Sequence, residues 1–134
     1  MTPLTLAAVT AALDARGDHY RVGGDGVVAG RWGAAYVEIE RIGERQEILR
    51  VRAVAARRLD ASRLSDAYEF CNGWNHDKLL PKAYVVEEAG GTLAIAGDAA
   101  TDLEHGVTPE QLAVLLNAAL VTGATLASAV DELP

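Results

Sequence analysis

The sequence predicts an α+β domain in which an antiparallel sheet is built from hairpins and helices stand before, between and after the strands. Three observations carry this. Two adjacent segments alternate with period two: Ala35, Val37 and Ile39 against Tyr36, Glu38 and Glu40, then Leu49, Val51 and Ala53 against Arg50 and Arg52. Apolar residues recur at helical spacing in three other places, each with a start or stop signal. The order is helix, strands, helix, two strands, helix, without the strand–helix–strand alternation of a parallel nucleotide-binding fold.

The first helix is predicted to start at Thr2-Pro3, a cap followed by a first-turn proline. It carries Leu6, Val9 and Leu13 and stops at Gly17. Short extended pieces follow at Tyr20 to Val22 and Val27 to Trp32. Between them Gly23-Gly24-Asp25-Gly26 signals a hairpin turn. The two alternating strands come next, joined by Gly43-Glu44-Arg45, with one face apolar and the other charged.

A second helix is predicted from Asp60 or Ser62, with Leu64, Ala67, Tyr68, Cys71 and Trp74 near one stripe, ending at Gly73 to Asn75. Pro81 cannot continue it. Strands at Ala83 to Glu87 and Thr92 to Ala96 then form a hairpin through Glu88-Ala89-Gly90-Gly91. Thr108-Pro109-Glu110-Gln111 is a complete start signal for the third helix, with a cap, a first-turn proline and a glutamine at the capping-box position. No charged residue lies between Glu110 and Asp131. A helix with water on half its circumference normally carries a polar stripe, so contact on more than one side is expected, with the sheet and with a second subunit.

With 134 residues the chain fits one domain, residues 1–134. Its apolar runs fall short of the roughly 18 residues of a membrane span, and no basic-then-apolar leader opens the sequence, so a cytoplasmic protein without membrane insertion is expected. A net charge of −7 disfavours a surface that tracks phosphates, and no nucleic-acid partner is expected. Arg50/Arg52 and Arg57-Arg58 are read as solvated positions. The single Cys71 is read as a small buried hydrophobe.

Signals for catalysis are missing. The glycine cluster at 23–26 leads into a strand and lacks the Lys-Ser/Thr end of a phosphate loop. His19, His76 and His105 have no partner at metal-ligand spacing. Asp98, Asp102 and Glu104 depart from a calcium loop and are read as an acidic approach to the third helix. Ser62, Ser65 and Cys71 sit in no nucleophile elbow. No catalytic residue, metal or cofactor is expected, and the chain is read as a non-enzyme.

The stretch from Cys71 to Val85 is the most distinctive. It holds the only cysteine, one of the two tryptophans and both lysines, where the second helix hands over to a strand. Asn72-Gly73-Trp74-Asn75 and Pro81-Lys82-Ala83-Tyr84-Val85 resemble the YbjN domain family of bacterial proteins, and Gly106-Val107-Thr108 extends the likeness. The resemblance implies a fold similar to type III secretion chaperones, commonly dimeric, with a sensory-transduction or regulatory role and no catalytic residues to transfer. Asn72, Trp74, Asn75, Lys82 and Tyr84 are the candidate partner- or ligand-binding residues. A structural role is also open to them: Asn75 in the left-handed conformation that ends a helix, Trp74 over the sheet edge, Pro81 setting the next strand.

Two functions from different classes follow. The first is a chaperone-like or regulatory module that binds a protein partner as a homodimer. The alternative is a small-ligand sensor with a pocket near Trp74, between the second helix and the sheet.

Overall fold

In the computed structural model, which describes residues 1–134, the alternating segments form the centre of the sheet. The elements in chain order are α1 (Leu6–Arg16), β1 (Arg21–Val22), β2 (Val28–Trp32), β3 (Ala35–Ile42), β4 (Ile48–Ala55), β5 (Leu59–Asp60), a 3-10 turn (Ala61–Arg63), α2 (Leu64–Asp77), β6 (Lys82–Glu88), β7 (Thr92–Asp102) and α3 (Pro109–Asp131). All strand pairs are antiparallel, in the order β1-β2-β3-β4-β7, with β6 on the far edge of β7. β5 continues the row of β4 and pairs with β7 at Leu59 opposite Leu93. The α+β class and the order of major elements agree with the sequence reading.

Period-two alternation decides the layers. Residues 35, 37 and 39 on β3 and 49, 51, 53 and 55 on β4 are buried, and they join Leu93 and Ile95 of β7 in one cluster of 26 residues with the inner faces of all three helices. Ala94 and Ala96 are buried too, yet they lie outside that cluster. They belong to the opposite face, in register with Val86, Tyr84 and Val54. The helices therefore cover one face, and the other carries Tyr36, Glu38, Glu40, Arg50, Arg52, Tyr84 and Asp98.

The cap predicted for α3 is present in full: Thr108 Oγ1 accepts from Gln111 N at 3.1 Å, and Gln111 Oε1 accepts from Thr108 N at 2.9 Å. The helix lies along β4, β3 and β7 and is flanked by α1, whose Arg16 bonds Asn117. Gly123 permits the closest approach, because a Cβ there would stand 2.8 Å from the Ala53 Cβ. By length and mean hydropathy (1.8) α3 is apolar enough to cross a membrane; here its apolar residues supply the core, and Val114 (69% exposed) and Val121 (52%) remain on its outer side.

Three boundaries and one short strand differ from the sequence reading, each for a local reason. α1 starts at Leu6 under a Thr5 cap, because the backbone of Thr2 pairs instead with Val107 in both directions. α2 runs through Gly73 to Asp77, with Lys78 N closing the last turn on the Trp74 carbonyl; a glycine inside a helix weakens it but does not end it. β7 extends past Ala96 to Asp102, since β4 offers it backbone partners as far as Ile48. The two-residue β5 is too short for any periodic signal.

Candidate functional site

The junction between α2 and β6 is assembled from the residues that mark it in the sequence. Trp74 faces the core at 8% exposure, and its Nε1 donates to the Pro81 carbonyl at 3.0 Å. The Leu80–Pro81 peptide is cis. Asn75 sits inside α2 with helical backbone, so the left-handed helix end expected of it is not formed; Gln46 is the one non-glycine residue with positive φ. Its amide instead engages β6. Asn75 Nδ2 donates to the Ala83 carbonyl, and Oδ1 accepts from Ala83 N, both at 2.8 Å. Asn72 is exposed one turn earlier.

Lys82 and Tyr84 point away from this clasp, because alternate residues of a strand take opposite faces. Lys82 is exposed and in register with Asp98. Tyr84 donates to Asp98 Oδ1 at 2.8 Å. The five candidate residues thus divide: Trp74 and Asn75 hold the helix to the strand, Lys82 and Tyr84 belong to the open sheet face, and Asn72 joins neither.

Asp98, read from the sequence as part of an acidic approach to α3, is the hub of the open face. Arg50 reaches its Oδ2 at 3.0 Å and Arg52 its Oδ1 at 3.3 Å, while Arg50 also contacts Glu40 at 3.2 Å. These arginines are paired, not merely solvated. Each such pair, partly exposed, contributes modestly, and their main effect is to fix the geometry of a charged surface. Burial first, and the neighbouring Asp98 second, push the Tyr84 hydroxyl up to about 12, so it stays a donor across physiological pH. The signal available in the sequence was a lone aspartate following Gly97 in a run of small residues, opposite a strand with two arginines.

Arg57 and Arg58 are also more than solvated charges. Arg57 donates to the carbonyls of Val130 (2.9 Å), Asp131 (3.2 Å) and Leu133 (2.6 Å), capping the C-terminal end of α3. Arg58 bonds Glu88 at 2.7 Å. Cys71 is buried against the sheet, as expected, and burial pushes its thiol up to about 11.

A cleft of about 650 Å³ opens beside Trp74, lined among others by Glu69, Phe70, Lys78 and Pro134. It lies between α2 and the C-terminal residues. The expected place, between α2 and the sheet, is filled by Ala67 and Cys71. Phe70 and Trp74 stack with ring centres 6.3 Å apart, and Lys78 Nζ stands 5.7 Å from the Trp74 ring centre.

The fold and junction define a small α+β module with a sheet covered on one side and a helix clasped to its edge strand. The chain belongs to the YbjN family, described as "Putative bacterial sensory transduction regulator", whose sequence pattern matches residues 5–132. Among solved structures it is similar to that of YbjN from E. coli, described as "a putative transcription regulator", with a TM-score of 0.79 at 16% identity over 98% of this chain and 96% of that one. At that identity the likeness is one of fold. No curated protein matches the sequence.

Proposed function

We propose that this chain is a non-enzymatic, chaperone-like regulatory module that binds a protein partner and acts in the cytoplasm as a homodimer. The observation that carries this reading is the open sheet face. Tyr84, Arg50, Arg52 and Glu40 are held around Asp98 before any partner arrives, while Tyr36, 50% exposed, supplies an aromatic contact on β3 beneath Arg31. Tyrosine and arginine held in place lose little freedom on binding and dominate many protein interfaces. The uncharged outer side of α3, with Val114 and Val121, supports the second copy. A net charge of −7 favours a protein over nucleic acid as the direct partner.

Affinity capture from native cells, with wild type compared against a Tyr84→Ala/Arg52→Ala double variant, tests the partner. A protein retained by wild type and lost by the folded variant supports the sheet face. Equal capture by both removes it. Light scattering at high micromolar concentration tests the dimer, and a monomeric mass removes that part.

The cleft at Trp74 supports a second reading as a small-ligand sensor: Phe70 and Trp74 give it an aromatic floor, and Arg63, Asp66, Glu69, Asp77 and Lys78 around them suit a polar or charged ligand better than an apolar one. A saturable thermal shift with a metabolite favours it.

A further inference from the structure

The floor of the Trp74 cleft already holds a cation. Lys78 makes no salt bridge, although Asp66, Glu69 and Asp77 line the same cleft; its ammonium stands over the Trp74 indole instead. An ammonium over an indole face is attracted by the ring quadrupole, by about 0.5–2 kcal/mol depending on desolvation. Arg63 is occupied by Asp66 at 3.2 Å, which leaves Glu69 without an ion-pair partner, while Asp77 meets only the exposed His76. If Lys78 swung into solvent, the cleft would keep a stacked aromatic floor and a surplus of carboxylates. An arrangement of this kind accepts positive charge and disfavours anions.

We propose that the cleft binds an organic cation, an alkylammonium or guanidinium group seated on the Trp74 indole with its charge toward Glu69 and Asp77, and that Lys78 occupies this position until the ligand displaces it. The proposal rests on the ligand-sensing reading above and specifies its ligand class. A cleft of about 650 Å³ suits a small molecule. The same chemistry is offered by a free amine and by a lysine or arginine side chain of a basic peptide.

The test follows the Trp74 indole N–H resonance of the full-length protein, assigned with Trp32→Phe, during titration with agmatine, spermidine, choline, citrate as an anionic metabolite, and a short lysine-rich peptide. Sodium chloride serves as the ionic-strength control and 3,3-dimethylbutanol as the neutral isostere of the quaternary ammonium. The expected result is a saturable shift with one or more cations and none with the neutral isostere. Binding should tighten at least threefold in Lys78→Gln and weaken in Glu69→Gln, a surface variant chosen to leave the fold intact. Response to the peptide alone identifies a side chain as the source of the cation. Response to an anionic or neutral metabolite but to no cation overturns the cation assignment and leaves ligand sensing standing. No saturable response to any class, in wild type and Lys78→Gln alike, removes both.

Discussion

Asn75 and Ala83 exchange two hydrogen bonds of 2.8 Å, side-chain amide to backbone, in the way that a neighbouring strand would pair with the edge of β6. One amide supplies both donor and acceptor in the required spacing. An aspartate cannot, because its carboxylate would face the Ala83 carbonyl. Asn75→Ala should therefore lower stability by about 1–3 kcal/mol, the loss of two partly buried hydrogen bonds, and Asn75→Asp by a similar amount at neutral pH. Urea unfolding measures both, and an unchanged midpoint for either would contradict the clasp. Faster exchange of the Ala83 amide should accompany the loss.

α3 is seated through Gly123. A Cβ at that position meets Ala53 Cβ at 2.8 Å, on a central strand that pairs on both sides and cannot easily yield. Helix propensity favours Gly123→Ala by about 1 kcal/mol, whereas overpacking costs about 1–3 kcal/mol. The steric term should win, giving a destabilised protein; Gly123→Val should be worse. A stabilised Gly123→Ala in thermal melts would show that helix and sheet separate readily here.

A buried thiol, Cys71, and a half-buried hydroxyl, Tyr84, should make stability fall at alkaline pH. Burial raises Cys71 from 9.0 to about 11, and burial together with Asp98 raises Tyr84 from 10.0 to about 12. A raised folded-state value means that the native protein holds its proton longer than the unfolded chain. The contribution is present below the unfolded value and is lost as pH rises through the folded one. Urea midpoints should hold to about pH 9 and then decline, with the Cys71 part falling between pH 9 and 11 and the Tyr84 part between 10 and 12. Cys71→Ala should remove the first part of the decline and Tyr84→Phe the second. A decline of the same size in both variants would place its cause elsewhere.

What the sequence discloses depends on whether an interaction is local. The α3 capping box spans four residues, and the β3 and β4 alternation spans eight each, so both were legible. The clasp from Asn75 to Ala83 is nearly local, yet its direction was not legible: asparagine signals a helix end as readily as it signals a side-chain bond. The Asp98 hub joins Arg50 and Arg52 across more than 45 residues of sequence, and only the β4–β7 register brings them together. For the same reason the sequence marks Trp74 but does not place the cleft beside it: the helical stripe shows which residues go inward, but not that Leu133 and Pro134 pack against the outward side of α2.

Arg57 ties this outward side together. Its guanidinium donates to the carbonyls of Val130 and Asp131 in the last turn of α3 and of Leu133 just beyond it; the Val130 carbonyl otherwise takes only end-of-helix backbone bonds such as the 3.2 Å one from Leu133 N, and the last turn itself contains no basic residue. The same bonds hold Leu133 and Pro134 as one wall of the Trp74 cleft. Arg57→Ala should thus have two separable effects: a loss of about 1–3 kcal/mol from charge-assisted bonds, and faster amide exchange confined to the last turn of α3 and the tail. Arg57→Lys keeps the charge but not the planar fork, so it should restore part of the stability and little of the exchange protection. Hydrogen exchange resolved by residue, alongside urea unfolding, distinguishes the two effects. Uniform acceleration over the whole chain would mean that Arg57 supports the fold globally and does not set the cleft wall in particular.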